Sequence, residues 1–282
     1  MIVSIVVLLV AAVAHLGGTQ AVFQQAGAID GFMNPTPTGL DIPGYAGAMA
    51  FVVGWMFAGA AALGQPHIVS RYLALQNTRQ MNQVRWWYYS YYLLFYCFAT
   101  AVGLLSRLYF GESTGFDPEM ALPNMARDLL PPWLAGLMLA GIFAATMSTA
   151  DSLVLSCSSA ITQDLPRKPS ENRWFLKAAT AMTTVFALGI GLWSEQSVFS
   201  LVVWAWGTLG AVFVPILIWQ VLGAKLNSLA MLCMSSTGVM ATVAWKFYGF
   251  PNSVYEGAVG MFSAFVLGAI FTISSIRSRF HP

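Results

Sequence analysis

LAGIFAATMSTADSLVLSCSSAITQDL, residues 139–165, is the stretch that decides the fold class of this 282-residue chain. Most of its side chains are small or apolar, as in a helix that lies in lipid, yet it carries a run of hydroxyls and one carboxylate, Asp151. In and just before it, every fourth residue is small: Gly136, Ala140, Ala144, Ser148, Ser152, Ser156 and Ala160. Such a stripe lets another helix backbone come close within a membrane. The stretch therefore predicts a membrane helix buried in a bundle.

The composition of the whole chain indicates the same solvent. Hydrophobic residues make up 57% of it and charged residues only 9%, against roughly 25% charged in an ordinary soluble domain. A soluble protein so poor in charge would aggregate, so most of this surface must face lipid. The three cysteines all fall in apolar stretches, where a thiol behaves as a small hydrophobe. We expect neither a disulfide nor a metal site built on them.

Apolar runs long enough for a bilayer, about 20 residues at helical rise, predict eight spans. They lie near residues 2–16, 45–64, 86–109, 132–162, 174–193, 198–222, 228–248 and 255–276. The fourth is too long for one perpendicular span, so it must tilt or project beyond the membrane. The sequence thus predicts an all-α integral membrane protein with about eight transmembrane helices.

Basic residues give the orientation, because Lys and Arg concentrate in cytoplasmic loops. Ten of the thirteen fall on one side of the predicted spans: Arg71, Arg79, Arg85, Arg167, Lys168, Arg173, Lys177, Lys225, Arg277 and Arg279. The other side receives Arg107, Arg127 and Lys246. This asymmetry predicts a multi-pass protein of the plasma or inner membrane with both ends of the chain in the cytoplasm.

The first apolar run begins at the second residue, without a basic flank to hold that end at the membrane surface. A positive segment and a cleavage site, which would mark a signal peptide, are not clear there. The simplest interpretation is that the chain begins inside a longer membrane protein. The alternative is a short first helix with a bare end.

Residues 54–75, GWMFAGAAALGQPHIVSRYLAL, predict a broken helix where a span meets the cytoplasm. Pro66 lacks a backbone donor and disfavours helix at Gln65, so the span should end or bend there. His67 and Arg71 lie four residues apart on the amphipathic piece that follows. This piece favours a helix at the membrane surface, and the alternative is that His67 serves as a ligand or proton carrier.

The hydroxyls of the opening stretch have two interpretations. Ser148 and Thr149 are adjacent, and the carbonyl of Ala145 lies one turn earlier, so three oxygens could converge on a hard cation such as Na⁺. Alternatively, the hydroxyls bond back to carbonyls of their own helix, as Ser and Thr often do. Asp151 bears on the choice, because a charge at mid-span costs at least ~2.5 to 3.5 kcal/mol and is normally kept for a pathway or partner. It could line an inner vestibule.

Three motifs carry a family resemblance: GQPHIVSRYLAL at residues 64–75, the opening stretch, and AWGTLGAVFVPILIW at residues 205–219. In order and spacing the chain resembles the sodium/solute symporter family, most of all its proline-transporting branch. Transporters of this kind resemble others built from two inverted five-helix repeats, with Na⁺ and solute held near mid-membrane. The resemblance implies that Ala145, Ser148 and Thr149 bind Na⁺.

The same resemblance implies the organisation of the chain. Residues 1–282 would be one partial transporter domain, the C-terminal part of a five-plus-five fold. Residues 1–18 would be the last helix of the first repeat, residues 45–222 the second repeat, and residues 228–276 two trailing helices. The N-terminal helices of a longer chain would then be needed as a partner to complete the sodium site.

The solute site is expected beside the broken helix. Proline-type relatives place large aromatics one and two turns before the Gly-Gln-Pro-His turn, where this chain has Ala62 and Ala58. Trp55 is the nearest substitute, and further candidates for a wall are Trp204, Trp206 and Thr208. Few amide or acidic side chains stand in the spans to bond the hydroxyls of a sugar. A sugar is therefore less expected, and the resemblance to the proline-transporting branch implies proline or a similar amino acid as the solute.

The predicted function is sodium-coupled symport of a small organic solute, with Na⁺ as coupling ion and with no other cofactor. Gln65, Pro66, His67 and Asp151 are the candidates for gating or vestibule positions. We expect no enzymatic activity and no nucleic-acid partner, since no nucleotide loop or nucleophile constellation stands in the sequence. Two alternatives remain open: a truncated, inactive transporter remnant, and a sensory or scaffolding membrane module.

Overall fold

The structure is a computed structural model that describes residues 2–34, 36–37, 39–75, 77–111, 116–165, 172–194, 197–250 and 252–280, without the side chains of residues 78 and 274–280. All regular elements in these ranges are helical. The α-helices are α1 (Ile2–His15), α2 (Thr19–Ala28), α3 (Gly44–Ala60), α4 (Pro66–Leu73), α5 (Met81–Phe110), α6 (Ala121–Leu129), α7 (Pro132–Ser159), α8 (Arg173–Trp193), α9 (Val198–Val221), α10 (Ser228–Tyr248) and α11 (Glu256–Phe280). The prediction of an all-α protein is confirmed.

Within the described residues, seven helices are long and apolar enough to cross a membrane. They correspond to the second through eighth predicted spans. The fourth continues from α7 through a π-helical turn at Ala160–Asp164, and this Pro132–Asp164 segment has 33 residues. At the helical rise it is about 50 Å long, well beyond the ~30 Å hydrocarbon core. The expectation that this helix exceeds one perpendicular span is confirmed.

The first predicted span, residues 2–16, coincides with α1, Ile2–His15, but this helix is too short to cross a membrane by itself. The 14 residues of α1 cover only about 21 Å, and the chain then bends by 74° into α2. Gly17 and Gly18 at the bend have φ values of 92° and 93°, in the left-handed region that side chains with a Cβ rarely adopt. If α1 and α2 count as one bent span, the described chain has up to eight spans.

The chain divides into two compact units, Met1–Asn34 with Leu75–Ser194, and Pro35–Ala74 with Glu195–Pro282. The first unit contains α1, α2 and α5 to α8, with α1 packed against α5, α6 and α7. Its core is apolar, and Leu8, Met125 and Met138 are fully buried there. This core fixes the N-terminal half of α7, the helix that carries the predicted sodium ligands.

The second unit contains α3, α4 and α9 to α11, and its helices meet at glycines. A Cβ on Gly64 would lie 2.8 Å from the carbonyl oxygen of Leu209 and 2.9 Å from the Cα of Gly210. A Cβ on Gly257 would similarly lie 2.7 Å from the Cα of Gly207 on α9. Backbones this close leave room only for hydrogen, as in other membrane helix packings. The turn after α3 is thereby seated directly on α9.

The predicted burial of the small-residue stripe of α7 is not seen. Five of its members are exposed (Gly136, Ala140, Ala144, Ser148 and Ala160), and Ser152 and Ser156 are half-buried. Ala135 and Met138, which lie beside the stripe, face the core of the first unit instead. Larger apolar side chains fill that core, so the stripe remains on the open side of the helix. The expectation that this stripe is buried in a bundle is therefore wrong.

The orientation stays a prediction. Two of the basic residues behind it, Arg167 and Lys168, lie outside the described residues, and the side chains of Arg277 and Arg279 do too.

Candidate functional site

The predicted sodium ligands lie together on the exposed side of α7. The hydroxyl of Thr149 donates a hydrogen bond to the carbonyl oxygen of Ala145, with 3.1 Å between the two oxygens. The carbonyl of Ser148 accepts a hydrogen bond of 2.9 Å from the Ser152 hydroxyl. Thr149 therefore adopts the back-bonded arrangement that stood as the alternative to cation binding. The same bond nevertheless holds two candidate ligand oxygens side by side.

Several hydroxyls of α7 and of the π-helical turn after it bond back to their own helix. Thr146, Ser156, Ser158 and Thr162 all donate to carbonyls three or four residues earlier. The Ser148 hydroxyl, by contrast, makes no hydrogen bond to another described residue. The described residues also contain no group of three or more His, Cys, Asp or Glu that could hold a metal ion. The binding of Na⁺ by Ala145, Ser148 and Thr149 stays a prediction.

Asp151 follows Ser148 by three residues, so it lies near the same side of α7, about 4.5 Å further along the axis. Its side chain is exposed. Its assignment to an inner vestibule stays a prediction.

The predicted break at Pro66 is confirmed. Helix α3 ends at Ala60, a 3₁₀ turn covers Ala61–Gly64, and Gln65 is extended with φ −93° and ψ 108°. Pro66 then occupies the first turn of α4, where its missing N–H and fixed φ fit a helix start.

Gln65 holds this break in place. Its side chain is only 2% exposed, and its amide nitrogen donates to the carbonyls of Ala61 at 3.3 Å and Trp206 at 3.2 Å. A buried amide without partners would be costly, so these bonds tie the break to α9.

His67, two residues after the break, is half-buried at the start of α4. Its Nδ1 atom is buried without a hydrogen-bond partner among the described residues. Desolvation, with a smaller contribution from Arg71, lowers the pKa of His67 below its ordinary value of 6.5. The imidazole is therefore neutral at pH 7. This geometry leaves both interpretations of His67 open.

Trp55 is the centre of an aromatic group in the second unit. Its indole stacks on Tyr255, with ring centroids 5.6 Å apart and an angle of 18° between the planes. It also stacks on Phe199 at 6.5 Å and 22° and lies tilted against Phe51 at 6.0 Å. Trp55 remains 38% exposed, so these rings do not cover it completely.

Trp206 lies beside Ala58, one of the two positions where proline-type relatives are expected to carry an aromatic. Its indole N–H donates to the Ala58 carbonyl at 2.9 Å. The ring of Trp206 thereby packs next to α3 although α3 itself has only alanine there. An aromatic from α9 thus stands next to the position that lacks one on α3.

Trp204 and Thr208 are not brought to this group. The Nζ atom of Lys246 on α10 lies 4.9 Å from the ring centroid of Trp204, and the Thr208 hydroxyl donates to the carbonyl of Trp204 at 2.8 Å. Residues two positions apart on an α-helix point about 200° apart, so Trp204 and Trp206 cannot share one wall. The structure joins Gln65 directly to Trp206, and Trp206 to α3 one turn after Trp55.

A residue that sequence reasoning did not single out, Tyr255, packs against the candidate residue Trp55. It lies in the connection between α10 and α11, the two predicted trailing helices, and is 3% exposed. Only the fold brings it to Trp55, since 200 positions separate the two in the sequence.

Comparisons with known proteins give the family. The model of the sodium:solute symporter family matches residues 1–238. The Escherichia coli (strain K12) sodium/proline symporter is 28% identical over 236 residues, which cover 79% of this chain and 45% of that protein. The osmoregulated proline transporter OpuE of Bacillus subtilis (strain 168) is 26% identical over 292 residues, which cover 99% of this chain and 57% of OpuE.

The chain thus spans about half the length of the curated relatives it matches. These relatives are transporters rather than enzymes, and their names agree with the resemblance drawn from the three motifs. The family match covers more than four fifths of the chain, and the described helices include seven that could span a membrane. This chain belongs to the sodium:solute symporter family.

Proposed function

We propose that this chain takes part in sodium-coupled symport of a small organic solute, proline or a similar amino acid, across the plasma membrane. Its membership of the family and the proline-transporting relatives support this reading. Because those relatives are about twice as long, the complete activity is assigned to a protein in which this chain is joined by, or paired with, the remaining helices.

The observation that carries the sodium part is the pair of oxygens on α7. The Ala145 carbonyl and the Thr149 hydroxyl are 3.1 Å apart, a separation at which both can contact one ion at about 2.4 Å, the range seen for Ca²⁺, an ion of similar size. Donation of the Thr149 proton to the carbonyl leaves the hydroxyl lone pairs for the ion. Ser148 supplies a third oxygen, and two or more ligands come from elsewhere.

The solute part is assigned to the broken helix and its aromatic neighbours. Trp55 offers an indole that is only partly covered, and Trp206 provides a second indole next to Ala58. Flat aromatic faces suit the apolar ring of proline, since such contacts are large and lose little side-chain freedom. Trp204 and Thr208 stay candidates for contacts at another part of α9.

The mechanism follows from alternating access. External Na⁺ stabilises an outward-open state, the solute binds, and a rearrangement releases both inside. The membrane potential contributes about 2.3 kcal/mol per charge for each 100 mV. Gln65, Pro66 and His67 form the bend that could change in this step, and Asp151 is assigned to an inner vestibule for the departing ion.

The organisation belongs to the same proposal. Residues 1–18 are the last helix of a first repeat, residues 45–222 the second repeat, and residues 228–276 two trailing helices. Both ends lie in the cytoplasm, on the side that receives ten of the thirteen basic residues.

Uptake of radiolabelled L-proline into proteoliposomes, with an inward Na⁺ gradient or with K⁺ in its place, tests the function. The chain is assayed alone and as a chimaera, in which the N-terminal half of the Escherichia coli sodium/proline symporter precedes it. Na⁺-dependent uptake by the chimaera supports the proposal, whereas uptake by the chain alone would contradict the assignment of part of the site to the remaining helices. Absence of uptake from both, with the intact relative active in parallel, contradicts it and favours a remnant or a non-transporting module.

Trp55→Ala in the transporting form tests the solute wall. It should raise the half-saturating proline concentration more than it changes the Na⁺ concentration required, because the indole contacts the solute and not the ion. Trp219→Ala, which removes an indole of the same unit that stacks on Phe265 and not on Trp55, is the matched control and should leave the proline dependence unchanged. An unchanged proline dependence would remove Trp55 from the site.

A further inference from the structure

Tyr255 lies in the connection that leads into α11. It is not among the solute-site residues predicted from the sequence. Its ring centroid lies 5.6 Å from that of Trp55, with the planes 18° from parallel. Trp55 is 38% exposed, whereas Tyr255 is 3% exposed. Tyr255 therefore supports the indole from the protein side and leaves the rest of it open.

Tyr255 packs against three glycines and makes one hydrogen bond through its hydroxyl. A Cβ on Gly54 would lie 2.9 Å from the Tyr255 backbone nitrogen, one on Gly207 would lie 2.6 Å from its hydroxyl oxygen, and one on Gly257 would lie 2.7 Å from its ring. The hydroxyl donates to the carbonyl of Val203 at 3.2 Å. The ring is thus fixed against both α3 and α9, and a buried hydroxyl with a partner keeps it from turning away.

The turn before Tyr255 is also fastened to the segment that leads into α3. The backbone N–H and side-chain amide of Asn252 donate to the two carboxylate oxygens of Asp41 at 2.9 and 3.0 Å. The hydroxyl of Ser253, a residue with no exposed surface, accepts a bond of 2.8 Å from the N–H of Ile42. Helix α3 begins two residues after Ile42, at Gly44. Tyr255 and Trp55 are therefore anchored to each other at the backbone as well as through their rings.

We propose that Tyr255 is a positioning residue of the solute wall, whose ring fixes the orientation of the Trp55 indole, so that the trailing pair α10 and α11 sets the affinity for the solute. This inference rests on the proposed function, in which Trp55 contacts the solute. Tyr255 itself is covered and acts through Trp55.

The chain offers a matched control in another aromatic stack of the same unit. Trp219 on α9 stacks on Phe265 of α11, with centroids 4.9 Å apart and planes at 23°, and its indole N–H donates to the Phe265 carbonyl at 3.0 Å. Phe265→Leu removes a comparable ring from α11 but leaves Trp55 and its neighbouring rings in place.

The positioning is tested on the full 282-residue chain labelled with 5-fluorotryptophan, by ¹⁹F NMR in lipid nanodiscs. Trp55→Phe and Trp219→Phe identify the two signals. Tyr255→Leu should move or broaden the Trp55 signal and leave that of Trp219 in place, Tyr255→Phe should leave both near their original positions, and Phe265→Leu should move only the Trp219 signal. If Tyr255→Leu disturbs every tryptophan signal, the substitution has perturbed the whole fold. Tyr255→Met is then used instead, and it should likewise move the Trp55 signal and leave that of Trp219 in place. A Trp55 signal that stays fixed overturns the inference.

The consequence for the solute is measured as proline uptake by the transporting form. Tyr255→Leu should raise the half-saturating proline concentration roughly twofold to tenfold, the range expected for losing one aromatic pair, while Phe265→Leu leaves it unchanged. In a Trp55→Ala background, Tyr255→Leu should cause no further rise, because the two residues act as one unit. Additive effects would overturn an action through Trp55. If Trp55→Ala alone has no effect, the proposed solute wall fails, and the NMR result still decides the positioning.

Discussion

Replacement of Thr149 is the sharpest test of the sodium site. The structure places its hydroxyl oxygen 3.1 Å from the Ala145 carbonyl oxygen, on an exposed side of α7. If this oxygen is a ligand, Thr149→Ala leaves the ion short of one partner, a loss of ~1 to 3 kcal/mol or roughly 5-fold to 150-fold in apparent Na⁺ affinity. Thr149→Ser keeps the oxygen and should be mild. Ser148→Ala should weaken the affinity to a similar extent.

The assay is the Na⁺ dependence of proline uptake at a fixed, saturating proline concentration, in the form that transports. Thr184 on α8 provides the control, because its hydroxyl is also exposed and also donates to a carbonyl four residues earlier, that of Thr180, at 2.9 Å. Thr184→Ala removes the same kind of back-bond and should leave the Na⁺ dependence unchanged. If Thr149→Ala behaves like Thr184→Ala, the hydroxyl only bonds its own helix and the sodium assignment is refuted.

Three further predictions concern orientation, packing and pH. In a background without native cysteines, Met33→Cys should react with an impermeant maleimide added to intact cells and Lys168→Cys should not; the reverse pattern would invert the orientation. Gly64→Ala should lower the free energy of unfolding in detergent by about 1 to 3 kcal/mol, because its Cβ would lie within 3 Å of backbone atoms of Leu209 and Gly210. Gly59→Ala is the control, since a Cβ there would have nothing within 4 Å. Equal melting temperatures for the two variants would contradict the close packing. The folded-state pKa of His67 lies below the ordinary 6.5, so the unfolded chain binds the proton more readily and stability should fall as the pH drops from 6.5 toward that lower pKa. His67→Asn should flatten this part of a profile of melting temperature against pH. An unchanged profile would show that His67 does not cause the loss of stability.

The site was only partly predictable from the residues themselves. Ala145, Ser148 and Thr149 could be grouped in advance because residues three and four apart meet on any helix, and the structure keeps them on one side of α7. The sequence left open whether the Thr149 hydroxyl bonds back to its own helix, since a hydroxyl rotates to whichever acceptor its surroundings offer. Trp204 and Trp206 were grouped by proximity in sequence, and helical geometry separates them.

Local chemistry alone determined the membrane class, the positions of seven spans and the break at Pro66, because hydropathy and the missing proline donor act wherever the chain folds. Tertiary structure alone decided which side chains meet across the sequence: Gln65 with the carbonyl of Trp206, the Trp206 indole with the carbonyl of Ala58, and Tyr255 with Trp55. These pairs lie 141, 148 and 200 positions apart. No periodicity in the sequence encodes such pairs, since they depend on which helix backbones approach at glycines and which rings then fit between them.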